Sequence, residues 1–191
     1  MDKKNLITQL LTEASDLKAK LCRDAQFIQA LEQIASVLIA TKQNGGTIYI
    51  CGNGGSAADA MHFTEELVAR YKRERPGIKA MHFIDGPTLT CWGNDYGFNT
   101  AFARQAETFC SRNDVLIGFS TSGNSENVIL AFAAAKERGC KTIAFLGKDG
   151  GRLKHSADYQ IIVPHQATER IQEIHIVLVH ILCEIIETHD A

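Results

Sequence analysis

The sequence predicts an α/β fold, a five-stranded parallel sheet flanked by helices with a pair of helices ahead of the first strand. Short runs rich in apolar and β-branched residues alternate with segments whose apolar residues recur at helical spacing. Those runs are continuously apolar rather than alternating, which marks strands buried on both faces and joined by right-handed helical crossovers. With 191 residues, 45% of them hydrophobic and 22% charged, the chain can bury such a core, and one domain spanning 1–191 is expected.

The elements follow in order. Leu6, Leu10, Leu11, Leu17 and Leu21, then Phe27, Leu31, Ile34, Leu38 and Ile39, repeat at helical spacing and predict two helices that meet near Arg23 and Asp24. Gly45 and Gly46 end the second. This pair, residues 1–44, lies outside the strand–helix alternation and is expected to pack in an oligomer. Strands are expected at 47–51, 80–84, 115–120, 142–146 and 160–163, and helices near 57–71, 99–111, 126–138 and 168–188. No internal repeat, low-complexity tract or linker interrupts the series.

A formal charge of -2 gives no general attraction to nucleic acid or to an anionic membrane, and neither is expected as a partner. Lys72, Arg73 and Arg75 form the only tight basic cluster, interrupted by Glu74, and read as a solvated loop. The six cysteines include no CxxC pair and sit largely in apolar runs, as reduced core residues do. With a polar N-terminus and no apolar stretch of membrane-spanning length, a soluble cytoplasmic protein without a signal peptide is expected.

The chemistry gathers where strands run into helices. The first strand leads into Gly52-Asn53-Gly54-Gly55-Ser56, where glycines permit close backbone approach and a helix start offers unpaired N–H groups to an anion. The third leads into Ser120-Thr121-Ser122-Gly123-Asn124-Ser125. Ser122 and Ser125 can serve as helix caps, but four hydroxyls in six residues exceed what one cap needs. Two such turns at the carboxyl edge of one sheet point to phosphate binding.

His62 and Glu66 are four apart and share a helix face, directed back toward the glycine turn. In the last helix Gln172, His175 and His180 interrupt an apolar sequence, and Gln172 and His180 are eight apart, about 80° around the helix. A lone helix histidine is usually surface or satisfied core, although His180 is surrounded by apolar residues. Two imidazoles, a carboxylate and an amide oxygen suit zinc, but spacing does not establish that the two helical pairs converge.

These segments, together with Asp59-Ala60-Met61-His62-Phe63, Glu65-Glu66-Leu67, Gly93-Asn94-Asp95, Gly147-Lys148-Asp149-Gly150-Gly151 and Arg170-Ile171-Gln172-Glu173-Ile174-His175, resemble the phosphoheptose isomerase family of the sugar isomerase (SIS) domain superfamily, nearly end to end. The serine-rich turn marks the superfamily; Glu66 combined with Gln172 and His180 marks the isomerases. The resemblance implies a flavodoxin-like three-layer sandwich and a homotetramer with sites at subunit boundaries. It implies substrate contacts at Asn53, Gly54, Gly55, Glu66, Asn94, Asp95, Ser120, Thr121, Ser122, Ser125 and Gln172. One zinc per subunit on His62, Glu66, Gln172 and His180 is implied, with Glu66 and His180 catalytic, Glu66 taking the carbon-bound proton and His180 serving the oxygens or the second carbon. The implied reaction converts sedoheptulose 7-phosphate to D-glycero-D-manno-heptose 7-phosphate through an enediol, supplying ADP-heptose for lipopolysaccharide core. The alternatives are a non-catalytic SIS module that binds the replication initiator, a sugar-phosphate sensor, or an SIS isomerase for another phosphosugar. Gly55, Glu66 and His180 favour the heptose enzyme.

Overall fold

The computed structural model describes residues 2–189, so residues 1, 190 and 191 of the expected 1–191 span lie outside the described residues. Strands β1 (Ile48–Gly52), β2 (Ala80–His82), β3 (Val115–Ser120), β4 (Lys141–Gly147) and β5 (Tyr159–Val163) form one sheet in the order β2-β1-β3-β4-β5. Every pairing is parallel. From β1 the chain winds outward to β2 and then crosses back to β3, so winding reverses between β1 and β3. In such sheets ligands bind beyond the carboxyl ends of the strands at that reversal, where the glycine and serine turns both lie.

Helices α1 (Lys3–Leu21), α2 (Ala25–Gln43), α3 (Gly55–Val68) and α7 (Thr168–Thr188) share one apolar core, and α5 (Ala101–Phe109) and α6 (Glu126–Glu137) share the other. The strands supply both cores by alternation: Ile48, Ile50, Ile117 and Phe119 face the first, whereas Tyr49, Cys51 and Leu116 face the second. Asp24 caps α2, accepting N–H bonds from Gln26 (3.0 Å) and Phe27 (3.1 Å). That helix buries Phe27, Leu31, Ile34 and Leu38 in the chain's own core. Helix α1 buries only Leu17 and Leu21 and leaves Leu6, Ile7, Leu10 and Leu11 exposed.

Two expectations need correction, and one helix is added to those expected. Strand β2 ends at His82, not at 84, because the His82 ring accepts the Ile84 N–H through Nδ1 (3.2 Å) and turns the chain away from the sheet. Helix α4 (Gly86–Asp95) then follows, a segment to which the sequence pattern assigns nothing because Gly86, Pro87 and Gly93 resemble loop residues. Asp85 caps it by accepting the Thr88 N–H (2.9 Å), and Pro87 sits in the first turn, where no intrahelical N–H bond is lost. Finally, the basic run is not solvated throughout: the Arg75 side chain is only 6% exposed and pairs with Glu187 at 2.9 Å.

Candidate active site

Gly54 takes φ +57° and ψ -121°, a conformation that side-chain-bearing residues rarely adopt, and the chain then passes directly into α3 without a side-chain cap. Helix α6 also begins without one. The Ser125 hydroxyl instead pairs with the Ser120 hydroxyl at 2.9 Å, and the Ser122 hydroxyl accepts the Asn124 N–H at 3.1 Å. Capping therefore does not explain Ser125, and the positive ends of two helices lie beside each other at the sheet edge.

The two turns are fastened together. Asn53 donates to Asn127 (2.9 Å) and Asn127 donates back to Asn53 (2.8 Å), a reciprocal amide pair joining the glycine turn to the first turn of α6. Behind the serine turn, Leu153 N–H donates to the Gly123 carbonyl (2.9 Å) and Arg152 N–H donates to the Asn124 side chain (3.1 Å). Cys51, at the base of the glycine turn, is fully buried, and burial pushes its thiol well above the ordinary range, which removes it as a nucleophile.

Along the first core, α7 runs beside α3. A Cβ on Gly55 would lie 2.6–2.8 Å from the Gln172 amide, so glycine there lets Gln172 reach the start of α3. Further along, His62 Nε2 lies 3.0 Å from His180 Nε2 and 3.3 Å from Glu66 Oε1. One ligand atom from each of His62, Glu66 and His180 lies within 4.8 Å of the others. The packing of the two helices thus brings His180 to His62 and Glu66, with Gln172 placed beside Gly55 at the start of α3. Asn94 and Asp95 lie apart from this cluster in sequence, exposed at the end of α4, where the Asn94 amide donates to the Asp95 carboxylate (2.7 Å).

His175 takes the core role. It is fully buried between Phe119 and Phe145, with Nε2 3.1 Å from the Leu146 carbonyl oxygen, and burial pushes its pKa down to about 4. The unfolded chain binds a proton at this ring near 6.5 and the folded one does not, so stability is intact above about pH 6.5 and falls as pH drops toward 4, by up to about 3 kcal/mol. His175→Gln is expected to flatten that limb of a melting-temperature profile.

The SIS domain model matches residues 13–147. Phosphoheptose isomerases of Escherichia coli O7:K1 and Shigella dysenteriae serotype 1 are each 48% identical over 184 residues, 96% of this chain and 96% of theirs. The chain belongs to the phosphoheptose isomerase family of SIS domain proteins. The structure of the phosphoheptose isomerase from Neisseria gonorrhoeae superposes with a TM-score of 0.92 at 37% identity, covering 98% of this chain and all of that one. That from Francisella tularensis gives 0.93 at 33%, with the same coverage.

Within this phosphoheptose isomerase fold, the cluster suits a metal. A tetrahedral ion with bonds near 2.0–2.1 Å holds neighbouring ligand atoms about 3.3 Å apart, close to the separations at His62. Two further residues carry no role in the sequence reading. Asn127 hides in an ordinary helix start, its one signal being a polar side chain in the first turn. Asp59, one turn before His62, has a buried Oδ2 without a hydrogen-bond partner among the described residues; burial pushes its pKa up to about 6, and His62 offsets part of that rise.

Proposed function

We propose that this isomerase interconverts sedoheptulose 7-phosphate and D-glycero-D-manno-heptose 7-phosphate by moving a proton between C1 and C2 through an enediol. The observation that carries the reading is the meeting of Glu66 and His180 at helices whose other contacts lead to the phosphate-type turns. The phosphate is held by the hydroxyls of Ser120, Thr121, Ser122 and Ser125 and by backbone N–H groups at the α6 start, with Asn53, Gly54 and Gly55 lining the sugar. Asn94 and Asp95 also contact substrate. Glu66 removes the carbon-bound proton, and His180 moves protons at the two oxygens or delivers one to the second carbon, so that each carbon and oxygen that loses a proton is matched by one that gains it.

His62, Glu66, Gln172 and His180 would hold zinc, one per subunit. When bound, the ion supplies a Lewis acid that polarises the carbonyl and stabilises negative charge on the enediolate oxygens. A carboxylate has two oxygens and about four lone-pair sites, so Glu66 can give one oxygen to ligation and keep the other for proton transfer, whereas His180, with Nε2 turned to the cluster, would keep only Nδ1 for protons while an ion is bound. His62 and Gln172 orient those two residues and need not move protons themselves. Exposed Leu6, Ile7, Leu10 and Leu11 on α1 support a homotetramer in which that helix packs between subunits, α2 being seated in the chain's own core. No helix among the described residues is long and apolar enough to cross a membrane, which accords with a cytoplasmic role in supplying heptose for lipopolysaccharide core.

The test is turnover of the purified protein on a panel of phosphosugars, with metal content measured on the same sample. Sedoheptulose 7-phosphate should give the highest kcat/KM, with about one zinc per subunit, and His62→Ala should lower the zinc content. A higher kcat/KM on a pentose or hexose phosphate overturns the substrate, and equal zinc in His62→Ala overturns the ligand set.

A further inference from the structure

We infer that Tyr71, Arg75 and Glu187 are positioning residues, a buried clamp that sets Glu66 and His180 against each other. The inference rests on the proton-transfer roles proposed for those two residues. The last carbonyls of α3 have no partner within the helix. Arg75 satisfies two of them: Nη2 donates to the Glu66 carbonyl (2.7 Å) and Nη1 to the Leu67 carbonyl (2.9 Å). The backbone of Glu66 itself is thus held by the guanidinium.

The other side of the clamp belongs to α7. Arg75 Nε donates to Glu187 at 2.9 Å, and the same carboxylate accepts backbone N–H bonds from residues 71 (3.2 Å), 72 (3.0 Å) and 73 (3.2 Å). The two side chains are 6% and 3% exposed. Glu187 lies seven residues after His180, two helical turns along the same helix. By arresting the loop, Glu187 sets the Tyr71 ring against the His180 ring, stacked at 5.9 Å and 22°. One ion pair therefore ties the Glu66 backbone to the helix that carries His180 and closes an aromatic face over the imidazole.

A buried pair is a weak source of net stability, because desolvating both charges offsets much of their attraction. Its geometric effect is larger: small displacements of reacting groups lower turnover steeply while leaving remote binding contacts in place. The effect should appear in kcat and not in KM, because the serine turn is anchored separately to α6 and the loop after β4.

The experiment compares kcat and KM for sedoheptulose 7-phosphate in the full-length wild type, Tyr71→Ala, Tyr71→Phe and Glu187→Gln, with His180→Gln run in parallel and folded fraction measured by circular dichroism. Tyr71→Ala should lower kcat about tenfold with KM within about twofold, and Tyr71→Phe, which keeps the ring, should restore at least about half of the turnover. Glu187→Gln should show the same split; if it does not fold, the Tyr71 pair still decides. Unchanged kcat in Tyr71→Ala beside an inactive His180→Gln overturns the clamp alone. A loss that merely tracks folded fraction also overturns it. An active His180→Gln overturns the catalytic assignment beneath it.

Discussion

Glu66→Gln and His180→Gln are each expected to lower kcat on the heptose phosphate by about 10²–10⁴-fold, the range for loss of a positioned acid or base. Glutamine nearly matches glutamate in shape, so the helix, its packing and the Arg75 contacts to the Glu66 carbonyl persist while the basic oxygen is lost. His180 sits at the edge of the core with a partly exposed ring, and its replacement should likewise leave the fold intact. The check is steady-state kinetics beside a melting curve for each variant. Because the turns lie elsewhere, KM should change far less than kcat. The double variant should lose little more than either single one, since residues acting in one proton relay are not additive. Wild-type turnover in either single variant would remove that residue from the mechanism.

Gly123→Ala should have the largest effect on the binding edge. Gly123 has φ +65°, and an added Cβ would lie 2.0 Å from the Gly150 carbonyl oxygen, so the residue is constrained by both backbone angle and space. The left-handed angle costs about 1–2 kcal/mol for an alanine, and separating the serine turn from the loop after β4 should bring the total to about 3 kcal/mol. For a chain of this size that is a fall in Tm of about 6–12 °C. The same separation spreads the serine hydroxyls, so KM should rise several-fold with kcat less affected. A Tm within about 2 °C of wild type would show that the two loops do not depend on each other.

The parts of the fold legible in the sequence were those governed by periodicity. The continuously apolar runs around Ile117 and Phe145 announced central strands, and the long apolar stretch from Thr168 to Thr188 announced α7 to its last residue. Helix α4 was illegible because its glycines and proline are individually poor helix residues; its start depends on the Asp85 cap and a proline placed where it costs nothing. At the site, spacing proposed His62 with Glu66 and Gln172 with His180, but only helix packing brings His180 to the first pair and Gln172 to the start of α3. The buried role of Arg75 is hidden for a related reason. Its neighbours Lys72, Arg73 and Glu74 are exposed, and the carboxylate that buries it lies 112 residues further along the chain. Sequence reports local chemistry well and distant partners poorly.

The reciprocal amides of Asn53 and Asn127 have one more consequence. Neither amide titrates, and neither the segment 52–56 nor the segment 120–125 contains lysine, arginine or histidine. The gap between the turns is thus set by neutral groups that behave alike in acid and in base. Across the working range, the grip on substrate should follow the ionisation of the sugar's own phosphate, near pH 6, while the proton transfers of turnover belong to side chains of α3 and α7. The spacing of the anchoring turns therefore stays fixed from acid to base, and acidity acts on holding only through the charge of the phosphate itself.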